Sequence, residues 1–296
     1  MALIETRNVA LEVESHGNPD DPAVVLIAGL GFQLIDWPLS FCETLVDAGY
    51  RVIRFDNRDI GLSQKLDDKG VPDPANVAQD KLEGNIPNVP YRLSDMAEDV
   101  ANILDVLEVE QAHIVGMSMG GMIAQLFAFQ HSSRCLSLTS IMSSSSDSSL
   151  PGPSPEASAI LASAPQSQEI LDIVQFGLRV NEAIGSPAFR WDRAELIKHI
   201  QTCCKRCYSP GGYMRQYAAV MAAPSRREIL EGIAVPSLVI HGDADPLVQL
   251  ACGADVAAHI PDAIFEKVSG MGHDLSPSLC AHLATLVLPH FGGATS

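Results

Sequence analysis

Apolar and polar residues change rhythm repeatedly along the chain, and each change marks an element. Residues 8–14 alternate, with Val9, Leu11 and Val13 apolar between polar neighbours, the period of a half-exposed strand. Residues 23–28 (AVVLIA) form an unbroken apolar run ending in Gly29-Leu30-Gly31, which predicts a strand buried on both faces. Trp37, Phe41 and Leu45 recur at i, i+4 and i+8, a helical face that Gly49 closes. Residues 51–55 are another apolar run, followed by the loop sequence DNRDIGLS. Ser94 is placed to cap a helix whose buried face is Met96, Val100, Ile103, Leu104 and Leu107. Strands follow at 113–116, 136–142, 237–241 and 264–268, and residues 120–130 read as a helix with Ile123, Leu126 and Phe127 inward. Such alternation implies an α/β fold, a mostly parallel central sheet with helices on both faces.

One stretch breaks the rhythm. Residues 143–149 are nearly all serine, and Pro151, Pro153 and Pro155 follow. With little to bury and φ restricted at each proline, this is linker chemistry. From 157 to 229 the patterns are helical only, with Ile170, Ile173, Val174, Gly177 and Leu178 at helical spacing, and strands resume at Val235. The expected organisation is a core of residues 1–142 and 230–296 with a helical cap, 143–229, inserted between two strands. Segments at the C-terminal strand ends of an open parallel sheet border its ligand crevice, so the insertion is placed to cover a pocket.

Composition narrows the function classes. Of 296 residues 47% are hydrophobic, enough for a sizeable core. The 36 acidic and 19 basic residues give a net charge of −17, a surface that repels phosphate backbones and anionic lipid and so argues against nucleic-acid and membrane partners. Seven scattered cysteines do not read as a disulfide framework. Cys203, Cys204 and Cys207 have a spacing that could hold zinc, but no second ligand pair follows in the sequence, so ordinary thiols on one helix are the expectation and no metal is implied. The N-terminus lacks the apolar run of a signal peptide and no stretch approaches about 20 apolar residues, so a cytoplasmic location is expected.

The candidate chemistry begins at Gly116-Met117-Ser118-Met119-Gly120, a G-x-S-x-G turn entered from an apolar strand and left by an amphipathic helix. This turn must hold a nucleophilic serine at a strained corner, which leaves room only for very small flanking residues. A serine hydroxyl needs a base, and the base an orienting carboxylate, in the chain order Ser, Asp or Glu, His. His273 sits in the loop after the last strand, at the sheet edge where Ser118 lies, whereas His131, His199, His259 and His282 fall in helical patterns. For the carboxylate, Asp243 and Asp245 both follow the strand SLVIH; Asp245 lies further into the loop, and Asp243 could instead cap the turn. An oxyanion hole needs two backbone N–H groups, one from Met119 and one from the glycine-flanked Leu30, with Gly31 an alternative. Met119, Met122, Met214 and Met221 are candidates to line the pocket, though methionines at helical spacing more often fill the core.

Taken together, VGMSMGGMIAQ, VPSLVIHGDADPLV, FEKVSGMGHDL and DNRDIGLS resemble the α/β-hydrolase fold serine esterase family. DNRDIGLS with GGYMRQYAAVMA resembles more narrowly the branch that includes aclacinomycin methylesterase. The resemblance spans nearly the whole chain and is weakest over residues 143–209. It implies the α/β-hydrolase fold with Ser118 as nucleophile, His273 as base, Asp245 as its acid, and Leu30 and Met119 as oxyanion donors. It implies cleavage of a small-molecule carboxylic ester through an acyl-enzyme, with no cofactor. One departure is that Ala28-Gly29 stands where many relatives carry His-Gly; the donor is a backbone group, so only a histidine contact is lost. Fold does not fix function, and a C–C bond hydrolase, a proline-type peptidase, a perhydrolase or a ligand receptor could keep the same triad.

Overall fold

The computed structural model describes residues 2–161 and 163–294; Met1, Ala162 and 295–296, which belong to the expected core and cap segments, lie outside the described residues. Apolar runs and alternating stretches form eight strands: β1 (Ala2–Glu5), β2 (Ala10–His16), β3 (Ala23–Ile27), β4 (Arg51–Phe55), β5 (Ala112–Met117), β6 (Cys135–Ile141), β7 (Ser237–Gly242) and β8 (Ile264–Val268). They make one sheet in the order β1-β2-β4-β3-β5-β6-β7-β8. β2 pairs antiparallel with both β1 and β4, and all other pairs are parallel.

The helices are α1 (Leu39–Asp47), α2 (Pro74–Leu82), α3 (Leu93–Val106), α4 (Met119–Gln130), α5 (Pro155–Leu161), α6 (Ile170–Ile184), α7 (Arg193–Arg206), α8 (Pro210–Ala222), α9 (Arg227–Glu231), α10 (Leu250–His259) and α11 (Pro277–Ala294). Side chains alternate across a strand, so each central strand feeds two cores. Val25, Ile27, Ile53 and Ile114 meet α3, α4 and α10 on one face. Val24, Leu26, Val52 and Val115 meet α1 and α11 on the other. Met119 and Met122 belong to the first of these cores, and Met221 packs beside Val77. Between β6 and β7 the described chain forms helices only, α5 to α9. No helix of the described residues is long and apolar enough to cross a membrane.

Several elements differ from the sequence expectation, each for a local reason. The second strand begins at Ala10 rather than residue 8, because the Thr6 hydroxyl and the Val9 carbonyl close a turn at 2.6 Å. Ser94 does not cap α3: the helix starts at Leu93 with Arg92 at the cap, two residues earlier than expected, and the Asp95 carboxylate accepts the Arg92 N–H at 2.7 Å. Trp37 precedes its helix and stacks on Phe41 with ring centroids 5.3 Å apart. β1 carries one buried residue, Ile4, and α2 one, Val77, too few to leave a periodic signal.

Register places the working loops side by side. Ile27 stands opposite Gly116, so the loop after β3 emerges beside the turn after β5. Gly242 stands opposite Val268, so the loops carrying Asp245 and His273 leave the same edge together.

Candidate active site

Ser118 is the single residue between β5 and α4, with φ 54° and ψ −121°. A side chain held there is strained by about 1–3 kcal/mol, and the surroundings must enforce it. They do so through absent Cβ atoms: one on Gly116 would run into the Gly120 carbonyl, and one on Gly120 into the Ile27 carbonyl and to 2.7 Å from the Ala28 oxygen. Gly121, outside the motif, is equally constrained, since a Cβ there would lie 2.6 Å from the Ser143 Cβ. Gly120→Ala is therefore expected to cost about 3 kcal/mol, because backbone rather than a flexible side chain must give way. Thermal melting would read it, and an unchanged melting temperature would contradict this packing.

The three residues expected to act together do meet. His273 Nδ1 lies 2.7 Å from Asp245 Oδ2, and His273 Nε2 lies 2.9 Å from Ser118 Oγ. A carboxylate only accepts, so the imidazole proton sits on Nδ1 and Nε2 is left to accept the serine hydroxyl proton. The Asp245 side chain is fully buried, and its Oδ1 accepts the Leu247 and Val248 N–H groups, each at 2.9 Å. Asp243 goes elsewhere and accepts the Gly270 N–H at 2.7 Å. His241, given no role from sequence, lies beneath: its Nε2 donates to the Val248 carbonyl at 2.7 Å and stands 3.6 Å from Asp245 Oδ2. Burial holds its pKa below the ordinary value, so it supports the Asp245 loop as a neutral ring.

On the opposite side of Ser118, a Cβ on Gly29 would lie 3.4 Å from the Ser118 Cβ, which shows how closely the loop after β3 approaches. Among the described residues no acceptor takes the N–H of Leu30 or Met119. Gly31 is engaged: its N–H donates to Gln216 Oε1 at 2.9 Å, and Gln216 Nε2 in turn donates to the Arg58 carbonyl at 2.9 Å. Gln216 is fully buried on α8.

DNRDIGLS proves to be the brace of this loop, a role that sequence reasoning did not assign. Asp56 is wholly buried and accepts the Leu34 and Leu62 N–H groups at 2.7 Å each and Arg206 at 2.6 Å. Burial pushes its carboxyl up, against the pull of those donors. Asn57 donates to the Ala28 carbonyl at 3.0 Å. Arg58 pairs with Asp99 on α3, at 2.7 and 2.8 Å, and Asp59 with Arg215 on α8, at 2.9 and 2.8 Å. Four charged or amide residues in succession, directly after an apolar strand, are the available signal.

Of the cysteine cluster, only Cys203 joins other metal-ligand types: Asp36, His199 and Cys203 present ligand atoms within 4.8 Å of one another. His199 Nε2 is 2.8 Å from Asp36 Oδ1 and 3.6 Å from Cys203 Sγ. Burial works against the His199 cation, yet Asp36 outweighs it and holds the pKa above its ordinary value. An ion pair thus accounts for this contact.

A mostly parallel sheet covered on both faces, with a serine on a strained strand-to-helix turn, is the architecture of the α/β hydrolases. The model of the alpha/beta hydrolase fold family matches residues 22–169, and the chain belongs to that family. It is 28% identical over 318 aligned residues to rhodomycin D methylesterase DnrP of Streptomyces peucetius, covering 99% of this chain and 98% of that protein. It is 26% identical to 3-oxoadipate enol-lactonase 1 of Acinetobacter baylyi, covering 87% of this chain and 84% of that one. Among solved structures, the meta-cleavage product hydrolase of Pseudomonas fluorescens is similar with a TM-score of 0.74 and 19% identity, over 99% of this chain and 98% of that one. The protein is a hydrolase of this fold.

Proposed function

We propose that the protein is a serine esterase that cleaves a small-molecule carboxylic ester through an acyl-enzyme. The observation that carries this reading is the row Ser118 Oγ, His273, Asp245, with hydrogen-bond contacts of 2.9 and 2.7 Å. Ser118 attacks the ester carbonyl while His273 Nε2 takes its proton. Asp245 keeps the imidazole in the required tautomer and stabilises the imidazolium. The Leu30 and Met119 N–H groups receive the oxyanion, a contribution worth roughly a hundredfold or more in rate per donor. His273 then protonates the departing alcohol, and water, activated by the same base, releases the acid.

The bond class is further supported by the names of two relatives, a methylesterase and an enol-lactonase. Residues 143–229 serve as the cap: Gln216 reaches the oxyanion loop, and Ile184 and Ser186 reach the loop of His273. The test is hydrolysis of methyl esters and a chain-length panel of p-nitrophenyl esters. Turnover that declines with acyl length is the expected result. Protein that a fluorophosphonate labels at Ser118, but that turns over no ester, would overturn the esterase reading and redirect the search to C–C bonds and amides.

A further inference from the structure

The loop that carries His273 is held from the side by the end of a cap helix. His273 N–H donates to the Ile184 carbonyl at 2.6 Å, Gly272 N–H to Ser186 Oγ at 2.9 Å, and Ala188 N–H to the Gly270 carbonyl at 3.0 Å. A Cβ on Gly272 would lie 2.5 Å from the Gly185 carbonyl oxygen, so the two segments also touch through backbone. At the centre of this seam is Asp274, 8% exposed. Its Oδ1 accepts the Ser186 N–H at 3.0 Å and the Ser186 hydroxyl at 2.5 Å, and its Oδ2 accepts Asn181 Nδ2 at 2.9 Å. Among the described residues no lysine or arginine pairs with it.

A buried carboxylate without a cationic partner is costly unless hydrogen-bond donors satisfy it. Three donors from residues 181–186 converge on it, and two oxygens take all three. We propose that Asp274 is a positioning residue that clamps the His273 loop to the end of α6, so that the base stands in register with Ser118 only while residues 181–188 of the cap are seated. The proposal rests on the reading of His273 as the base. Asp274 acts through the backbone of its neighbour, and its side-chain hydrogen bonds go to Asn181 and Ser186 rather than to Ser118. Its consequence is directional: the cap cannot lift at α6 without disarming the base, so substrate entry uses movement elsewhere in the cap.

The test compares Asp274→Ala, Asp274→Asn, Ser186→Ala and the double variant Asp274→Ala/Ser186→Ala with the wild type. Two readouts are used: saturation kinetics on the best ester of the panel, and the rate at which a small fluorophosphonate labels Ser118. Misplacing a reacting group by about 1 Å costs roughly a hundredfold. Asp274→Ala is therefore expected to lower kcat about a hundredfold, with KM little changed and labelling slowed by a similar factor. Asp274→Asn should recover most of this loss, because the Asn181 amide can turn to present its oxygen to the new donor. Ser186→Ala should be impaired alone and less than additive with Asp274→Ala, since both act on one seam. A folded Asp274→Ala protein with wild-type kcat and labelling rate overturns the proposal, as does one that only melts earlier. Where Asp274→Ala does not fold, Ser186→Ala decides on the same criteria. A wild type that neither hydrolyses esters nor reacts with the fluorophosphonate brings down the base reading itself, and this proposal with it.

Discussion

Replacement of Ser118 by alanine is expected to lower kcat by on the order of a millionfold, while the protein melts no lower than the wild type. The size of the loss follows from the way the three residues are joined. His273 faces Ser118 at 2.9 Å and Asp245 at 2.7 Å, and without the hydroxyl neither partner has chemistry left to perform. Residual acceleration is expected from the proposed oxyanion donors and substrate binding alone. Stability is preserved because, among the described residues, the Ser118 side chain makes no hydrogen bond other than that to His273. Backbone strain at φ 54° is the same for alanine as for serine. Glycine at this position should be equally inactive yet more stable than alanine by about 1 kcal/mol, since relief of strain exceeds its entropic cost. Kinetics on the ester panel and melting curves of both variants would check this. Retention of a tenth of the wild-type kcat by the alanine variant would exclude Ser118 as the nucleophile.

The largest effect on stability is expected at Arg215. It is 1% exposed and holds Asp59, itself fully buried, through two contacts of 2.9 and 2.8 Å. Arg215 also reaches Asp67 at 2.8 Å and the Gly70 carbonyl at 3.2 Å. Arg215→Met leaves the Asp59 charge in the interior with the Leu66 N–H, at 2.7 Å, and the neighbouring Tyr91 hydroxyl to compensate it. Breaking a buried pair from one side costs about 3–5 kcal/mol. For a chain of this size the melting temperature should fall by roughly 5–10 °C. Adding Asp59→Asn should restore part of this loss: the stranded charge is gone, the amide oxygen still serves Leu66, and asparagine tolerates the positive φ of 74° found there. Recovery in the double variant separates a charge penalty from a packing defect, which asparagine could not repair. Activity should fall as well, because α8 carries Gln216, the acceptor that holds Gly31 beside the oxyanion loop.

How much of this was legible beforehand depended on how local each signal was. β8 lies at Ile264–Val268 as expected, although four of its five residues are exposed, and β3 and β7, both buried throughout, fall within a residue of expectation. A strand buried on both faces writes a continuous apolar run into its own residues. β1 and α2 write almost nothing, because each contributes one buried residue. The cap expected at Ser94 is displaced for a related reason. Serine is a common N-cap, but here Asp95, one residue later, reaches back to the Arg92 N–H and the helix begins before Ser94.

The candidate site divides in the same way. G-x-S-x-G is legible because its residues are contiguous, although only Gly116 answers a clash inside the turn while Gly120 answers the Ile27 and Ala28 carbonyls beside it, and His273 because a loop after the last strand must open at the edge where Ser118 lies. The choice between Asp245 and Asp243 was not spacing's to make: two residues apart, one meets His273 and the other the Gly270 N–H. Asp274, Gln216 and the pairing of each residue in DNRD also left no local trace. Their partners lie far along the chain, Asp274 from Asn181 by 93 positions and Asp59 from Arg215 by 156.

By itself, the sequence determined the layered sheet, the strained serine turn and the set of side chains able to act there, because periodicity, glycine placement and residue chemistry operate over a few residues. Only the tertiary structure decided which aspartate meets the histidine, which N–H groups remain unused beside the serine, and how helices between β6 and β7 grip the loops beneath them. Those outcomes depend on burial, where an unpaired polar group is penalised and each must find a partner, and the partner within reach is set by packing rather than by sequence distance.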